Sequence, residues 1–263
     1  MKNLFFLFLL ALAFAACKDD EAVVGDTATV NLNFKAVYSG EPFVTNNFDF
    51  QYKYPDGREI AFDTFNFFIS DVVLLEENSG DEAELIDLEF INFTANNSLA
   101  AAEKPITFSP NFIPAGKYKG IRIGIGVPAD INNSNYIDFG ASHPLRRHAS
   151  EFWSGWDSFV FVKLGGSYDI EGDGIGNGDD VPFAHQLASN AVYRSVTINT
   201  PIVVEGGKDL DLNIVVDALK LYQNDAGYLE MSDEENRATN DPGNLGVAIS
   251  IVDNWSGAVS ISQ

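Results

Sequence analysis

Three histidines and two tryptophans that could take part in metal chemistry lie close together in the sequence. His143, His148 and His185 are the only histidines, and Trp153 and Trp156 fall between them. Copper(II) favours imidazole nitrogen, so two or three of these histidines could bind copper without a cysteine. The alternative is that the histidines lie at the surface or make hydrogen bonds in the core, and that the tryptophans pack in the core.

An acidic, glycine-rich segment at residues 169–180 is a second candidate metal site. Its oxygen-bearing side chains fall at relative positions 1, 3, 5, 9 and 12 with a glycine at position 6, which overlays a twelve-residue calcium loop. The residues concerned are Asp169, Glu171, Asp173, Asn177 and Asp180. The pattern indicates a calcium site, and the alternative is a solvated hairpin loop, since the flanking segments read as strands.

The N-terminus has the pattern of an export signal. Residues 1–16 combine a positive charge at Lys2, an apolar run and small residues, which is typical of a secretory signal peptide. The apolar run is too short to span a bilayer as a stable helix. The only cysteine, Cys17, follows directly in a segment that resembles the lipobox of bacterial lipoproteins, which predicts cleavage before Cys17 and its lipidation.

The residues after Cys17 predict where this anchor places the protein. Residues 17–27 form an acidic tether, and their start resembles the signal that sends lipoproteins of Bacteroidetes-type bacteria to the outer surface. We therefore predict an outer-membrane lipoprotein exposed at the cell surface, with the periplasmic face as the alternative. The membrane would then be a partner through the lipid on Cys17.

Composition narrows the class of protein. Of the 263 residues, 46% are hydrophobic and 13% aromatic, enough for a large core, and one cysteine excludes a disulfide framework. The 16 basic and 38 acidic residues give a net charge of −22. Such a charge repels phosphate backbones, so we expect no nucleic-acid partner.

Period-two hydrophobic patterns dominate the rest of the chain. In the first of them, alternate residues from Val30 to Tyr38 are apolar, which is typical of a half-buried strand. Further predicted strands are 48–54, 65–75, 85–93, 118–127, 159–164, 192–204, 210–216 and 245–252. Helical periodicity is confined to residues 97–103, 144–152 and 218–222. The pattern predicts an all-β fold: a single antiparallel β-sandwich over residues 28–263 with long loops rich in Gly, Asp and Asn and a few short helices.

Several segments together resemble a known family. In chain order they are Phe67-Phe-Ile-Ser-Asp-Val72, Pro114-Ala-Gly-Lys-Tyr118, Ile123-Gly-Ile-Gly-Val127, Ser150-Glu-Phe-Trp-Ser-Gly-Trp-Asp157 before the strand Phe159–Leu164, and Phe183-Ala-His-Gln-Leu187. In that order they resemble the MbnP-like proteins, a family named for a periplasmic protein of methanobactin operons. The resemblance covers residues 28–262, and its most specific parts are the double-tryptophan segment and the later histidine.

This resemblance implies a β-sandwich, export and, as in some members, copper binding. In those members a tryptophan oxidised to kynurenine joins histidines at the metal, and a partner di-haem peroxidase performs the oxidation. The resemblance implies that Trp153 or Trp156 is the oxidised residue and that His185 is the main imidazole ligand, with His143 or His148 nearby.

The expected function is therefore copper acquisition or handling by an exported, lipid-anchored protein. The alternative is a surface lipoprotein that binds a glycan or another ligand, with the tryptophans as a stacking platform and calcium as a structural ion. Since no nucleophile elbow, phosphate-binding loop or zinc-protease motif is present, we expect no enzymatic activity.

Overall fold

The structure is a computed structural model that describes residues 26–176 and 178–263. The predicted signal peptide, Cys17 and all but the end of the predicted tether therefore lie outside the described residues, as does Asn177 of the acidic loop. The described chain is mostly β-structure, with short helices between the strands.

The strands, in chain order, are β1 (Thr27–Ala28), β2 (Val30–Tyr38), β3 (Glu41–Pro42), β4 (Tyr52–Lys53), β5 (Glu59–Glu76), β6 (Glu82–Asn92), β7 (Ile106–Phe108), β8 (Ile113–Pro114), β9 (Gly116–Ile125), β10 (Phe152–Trp153), β11 (Ser158–Tyr168), β12 (Val181–Ala188), β13 (Arg194–Ile198), β14 (Ile202–Val204), β15 (Leu210–Asp217), β16 (Gln223–Asn224), β17 (Gly227–Tyr228) and β18 (Val259–Ser262). The helices are α1 (Leu99–Ala102), α2 (Ala129–Asn132), α3 (Pro144–Arg147), α4 (Ala218–Tyr222), α5 (Gly246–Asp253) and α6 (Trp255–Ala258).

The larger sheet is organised around the long strand β5. Along one side β5 pairs first with β11 and then with β9, and along the other side it pairs with β4 and then with β6. Strands β10 and β12 pair with β11, and strands β13 and β14 pair with β9, all of them antiparallel. Strand β11 consequently carries β10 at its beginning and β12 along most of its length.

The smaller sheet contains a parallel pair that the sequence pattern did not predict. Its order is β18-β15-β2-β3, with β7 also paired to β2, and β2 runs parallel to β15 from Val30 opposite Leu210 to Val37 opposite Asp217. The predicted alternation in β2 is confirmed, since every second residue from Val30 to Tyr38 is buried. The predicted all-β class is confirmed. The antiparallel pairing predicted for the sandwich is wrong for β2 and β15, because alternation reports burial on one face and carries no information about strand direction.

Some predicted elements were misassigned. The predicted strand 245–252 is the helix α5, in which Ala248, Ile251 and Val252 are buried. A short apolar run fits a buried helix as well as a strand, so periodicity alone could not decide. The predicted strand 48–54 is reduced to β4, because a turn precedes it in which the N–H of Phe50 donates to the backbone oxygen of Asn47 at 3.0 Å and Phe48 is 66% exposed.

Other segments agree with the pattern. The predicted helix 218–222 is α4, with its N-terminus capped by the Asp217 side chain, and the buried apolar side chains of both sheets and the helices form one cluster. Within it the third tryptophan, Trp255, packs edge-on against Phe67 with ring centroids 4.8 Å apart. The predicted strand 192–204 is divided into β13 and β14 by the irregular residues 199–201, and its start, Val192, belongs to a short 3-10 helix.

Candidate functional site

Residues 129–157, which connect β9 to β11 and which we call the connecting segment, carry four of the five predicted copper-site residues. The buried amide of Asn132 fixes this segment to the beginning of β11. Its Nδ2 donates to Ser158 Oγ at 3.0 Å and to Asn190 Oδ1 at 2.8 Å, and its Oδ1 accepts from the backbone N–H of Phe159 at 3.0 Å. One side chain thus ties together three parts of the chain.

The two tryptophans of the connecting segment lie against each other. In β10, Phe152 and Trp153 pair with Phe159 and Ser158, so the residues between them form a tight hairpin turn. The Trp153 and Trp156 ring centroids are 5.4 Å apart at an interplanar angle of 32°, and both side chains are half-buried. Nε1 of Trp156 is buried and makes no hydrogen bond with the described residues. Both indoles therefore remain partly accessible from solvent at the end of the sheet.

His148 is the one of the three histidines whose ring makes no hydrogen bond with a described residue. It is half-buried and stacks on Phe90 with ring centroids 4.2 Å apart, and neither ring nitrogen hydrogen-bonds to a described residue. Burial, together with the positive charge of the adjacent Arg147, lowers the pKa of His148 below its ordinary value. The neutral imidazole, which is the form that binds metals, is therefore favoured at pH 7.

His143 has a local structural role at the start of α3. Its Nδ1 accepts a hydrogen bond from the backbone N–H of Leu145 at 3.2 Å, which caps the helix, and its ring stacks on Phe139 at 4.0 Å. Because Nδ1 uses its lone pair for the cap, the neutral ring carries its proton on Nε2. A metal could bind this ring only if the cap were broken or that proton were lost.

His185 lies in the core of the protein, with no exposed surface. Its Nε2 is 2.7 Å from the backbone oxygen of Asn236, and its Nδ1 is 2.9 Å from the Tyr222 hydroxyl. A carbonyl can only accept, so Nε2 is the protonated nitrogen and Nδ1 accepts from Tyr222. Burial lowers the pKa of His185 to about 4, against the opposing effect of the hydrogen bond to Asn236.

The five predicted copper-site residues do not converge on one ion in this structure. On strand β11, His185 pairs with Leu164 and Trp153 pairs with Ser158, six positions apart, which corresponds to about 20 Å along the strand. Across the described chain, no group of three or more His, Cys, Asp or Glu side chains is arranged to hold a metal ion. Because both ring nitrogens of His185 already have partners, the predicted centre built on His185 does not fit this arrangement.

The acidic loop at residues 169–180 is organised by its own backbone. The buried carboxylate of Asp169 accepts hydrogen bonds from the N–H groups of Gly172, Asp173 and Gly174 at 2.7–3.2 Å. Although burial opposes ionisation, these donors hold the pKa of Asp169 below its ordinary value. Gly172, Gly174, Gly176 and Gly178 all have φ between +83° and +104°, the left-handed region that glycine allows.

The described carboxylates of the predicted calcium loop do not form a group of three or more that could hold a metal ion. Glu171 and Asp173 are exposed. One carboxylate oxygen of Asp180 accepts from the N–H of Gly176 at 2.7 Å, and the other is buried without a hydrogen bond to the described residues. The loop geometry is thus explained by carboxylate–amide hydrogen bonds, and calcium binding stays a prediction.

Sequence reasoning did not identify the partners that determine the state of each histidine. Tyr222, Asn236 and Asn132 are ordinary polar or aromatic residues in the sequence, and Tyr222 is 37 residues from the His185 that it contacts. No local pattern could have revealed these contacts, because only the packing of the chain brings the residues together.

None of the helices in the described ranges has the length and apolar character needed to cross a bilayer.

Comparison with known proteins identifies relatives of the whole fold. The sequence model of the MbnP family matches residues 27–240. The chain is also similar to the solved structure of MbnP from Methylosinus trichosporium, with 12% sequence identity and a TM-score of 0.52, over 90% of this chain and 98% of the other. At that identity, the likeness to the solved structure establishes the fold alone. No curated protein sequence matches the chain.

Proposed function

Because the chain belongs to the MbnP family, we propose that it is an exported, lipid-anchored protein that binds copper and has no catalytic role. The lipobox-like residues before Cys17 support export and anchoring at the outer membrane. The histidines and the tryptophan pair support copper, since imidazole nitrogen is a favoured copper(II) ligand.

We assign the copper-binding imidazole to His148 in the connecting segment rather than to His185. The observation that carries this assignment is that His148 alone among the three histidines has both ring nitrogens without a hydrogen bond to a described residue. The cause of its lowered pKa, burial beside Arg147, also favours the neutral ring. A single imidazole is a weak site, so we expect the unmodified chain to bind copper(II) only moderately.

The half-buried tryptophans are the residues we propose for oxidation to kynurenine. Trp153 and Trp156 are five and eight positions after His148, and both are partly accessible at the end of the sheet. Trp255, by contrast, has no exposed surface. A di-haem peroxidase is the proposed partner, as the family resemblance implies, and it would approach this exposed hairpin.

Copper(II) competition titrations against a chromophoric chelator test the assignment on the mature chain. We expect His148→Gln to weaken binding at least tenfold and His185→Gln to leave the affinity unchanged. His143→Gln, at the opposite end of α3 from His148, is the matched control and should also leave the affinity unchanged. Loss of binding in His185→Gln but not in His148→Gln would reverse the assignment. No copper binding by the wild-type protein, whether made recombinantly or taken from its native host, would overturn the proposed function.

The second candidate function is glycan or ligand binding, with calcium as a structural ion. The half-exposed tryptophan pair favours it, since indole faces stack on sugar rings and other flat ligands. Adding a panel of sugars while recording tryptophan fluorescence distinguishes the two. A change that disappears in Trp153→Phe or Trp156→Phe, with no response to copper, would favour this second function.

A further inference from the structure

A line of tyrosine rings leads from the surface to the buried His185. Tyr228 is 37% exposed, and its ring centroid is 5.9 Å from that of Tyr54, which is 2% exposed. The Tyr54 ring is 6.2 Å from that of Tyr222, which is 1% exposed and whose ring is 5.4 Å from His185. Neighbouring rings in this line are thus in or near van der Waals contact from solvent to the core.

The inner end of the line is a phenol with a nitrogen base. Since His185 donates from Nε2 to the carbonyl of Asn236, its unprotonated Nδ1 accepts the Tyr222 hydroxyl proton. If that proton moved to Nδ1, the resulting imidazolium would keep both N–H groups hydrogen-bonded, to Tyr222 and to Asn236. The buried pair is therefore arranged so that a proton can transfer without a further group having to move.

The other phenols in or next to this line lack a nitrogen base, and two of them, Tyr168 and Tyr228, contact a carboxylate instead. Tyr54, Tyr52 and Tyr38 donate to the backbone carbonyls of Leu229, Pro42 and Lys53, which are far weaker bases than imidazole. Tyr168 donates to the Asp56 carboxylate and lies 5.7 Å from Tyr54, and the exposed Tyr228 hydrogen-bonds to the Glu230 carboxylate. Arg58 also donates to the Tyr168 oxygen, at 3.0 Å, and this positive charge disfavours removal of an electron from that ring.

We propose that Tyr222 and His185 form a proton-coupled redox pair that is reached from the surface through Tyr228 and Tyr54. A one-electron oxidant of high potential, of the ferryl-haem or trivalent ruthenium class, takes one electron at Tyr228 and is reduced by one electron. An electron from Tyr54 then reduces the oxidised Tyr228, and an electron from Tyr222 reduces Tyr54 in the same way. As Tyr222 gives up its electron, its hydroxyl proton passes to His185 Nδ1, leaving a neutral tyrosyl radical and an imidazolium.

The proposed redox pair and the tyrosines that lead to it are separate from the proposed copper ligand His148, because none of them lies in the connecting segment. Their redox role needs no bound metal. Tyr222 holds the radical where solvent and small reductants reach it slowly, which distinguishes it from the exposed Tyr228.

Flash oxidation of the mature chain with photogenerated tris(bipyridyl)ruthenium(III) tests the proposal, with tyrosyl radical detected by transient absorbance and electron paramagnetic resonance. We expect Tyr222→Phe and His185→Gln each to lower the yield of long-lived radical at least threefold. Tyr54→Phe should do the same, because a phenyl ring is not oxidised by this reagent and the line is interrupted. The matched control is Tyr118→Phe, which removes the hydroxyl of a buried tyrosine outside the line.

Wild-type yield in Tyr222→Phe or in Tyr54→Phe, or an equal loss in Tyr118→Phe, would overturn the proposal. If Tyr222→Phe does not fold, Tyr54→Phe and His185→Gln decide the question. A merely structural hydrogen bond between Tyr222 and His185 would change the unfolding free energy of these variants without changing the radical yield.

Discussion

His185 and Trp153 both lie opposite strand β11, but His185 pairs with Leu164 and Trp153 pairs with Ser158, six positions away. The strand therefore separates a buried imidazole with two hydrogen-bond partners from a half-exposed pair of indoles. Chemistry that needs access from solvent belongs to the indole end, at the connecting segment. The His185 end is enclosed by aromatic side chains and is suited to structural or redox roles that exclude water.

The stability of the protein should depend on pH through His185. Burial lowers the pKa of His185 from an ordinary 6.5 to about 4, so the unfolded chain takes up a proton at a higher pH than the folded chain. Stability conferred by the neutral ring is complete above pH 6.5 and is lost as the pH falls towards 4, by up to about 3 kcal/mol.

Urea denaturation of wild type and His185→Gln at pH 7, 6, 5 and 4 measures this effect. Because other carboxylates titrate in both proteins, the informative quantity is the difference between their unfolding free energies. We expect this difference to shrink as the pH falls. Two parallel curves over the whole range would contradict the assignment of a buried neutral imidazole.

Replacing Asn132 should destabilise the attachment of the connecting segment. Asn132→Ala removes the partner of the Phe159 N–H and of two side chains, and we expect a loss of about 2–3 kcal/mol in the free energy of unfolding. Limited proteolysis should then cut within residues 129–157 faster than in wild type. Asp130→Ala, at an exposed position of the same helix whose side chain makes no hydrogen bond with a described residue, is the control and should cost about 0.5 kcal/mol or less.

Asp169 should stabilise its loop whether or not calcium is present. Asp169→Ala removes the acceptor of three backbone N–H groups, and we expect a loss of about 2–3 kcal/mol both in a chelator and in millimolar calcium. Thermal unfolding in the two media provides the measurement. A melting temperature that rises with calcium in wild type, but not in the exposed variant Glu171→Ala, would instead support a calcium site.

Cys17→Ser should release the protein from the membrane. A lipidated N-terminus partitions into the bilayer through its acyl chains, and a serine at this position cannot carry the thioether-linked lipid. We expect wild type to take up labelled palmitate and to fractionate with membranes, and the variant to do neither. Since Cys17 is the only cysteine, palmitate labelling of the variant would show that the anchor is wrongly assigned.

The strands that bury one face, and the family to which the chain belongs, could both be predicted from the sequence. Strand β2 was predictable because burial on one face of a strand imposes a two-residue repeat, and α4 because Asp217 provides a capping side chain before an apolar run. Helix α5 was not, since its short apolar run carries no distinguishing period. Strand direction in the smaller sheet was not predictable for a different reason, since the alternation in β2 reports which face is buried but not which way the partner strand runs.

The sequence could identify which residue types are candidates for the site, but it could not predict the hydrogen bonds that each side chain makes. The sequence supplies three imidazoles, yet whether a ring nitrogen is open depends on residues that only folding brings into contact. His185 contacts Tyr222 and Asn236, which are 37 and 51 residues away in sequence. His143, whose partner is two residues away, is the one case where local reasoning about helix caps could have succeeded.

The parallel pairing of β2 with β15 has a consequence for the order of folding. Val30 meets Leu210, so the first long strand of the described chain finds this partner only after most of the polypeptide has been made. Closing so long a loop is entropically costly and slow, and topologies dominated by such distant contacts fold slowly. For an exported chain, as we propose this one to be, such a delay would be an advantage, because the smaller sheet cannot be completed until residues 210–217 have followed β2 through the translocation channel.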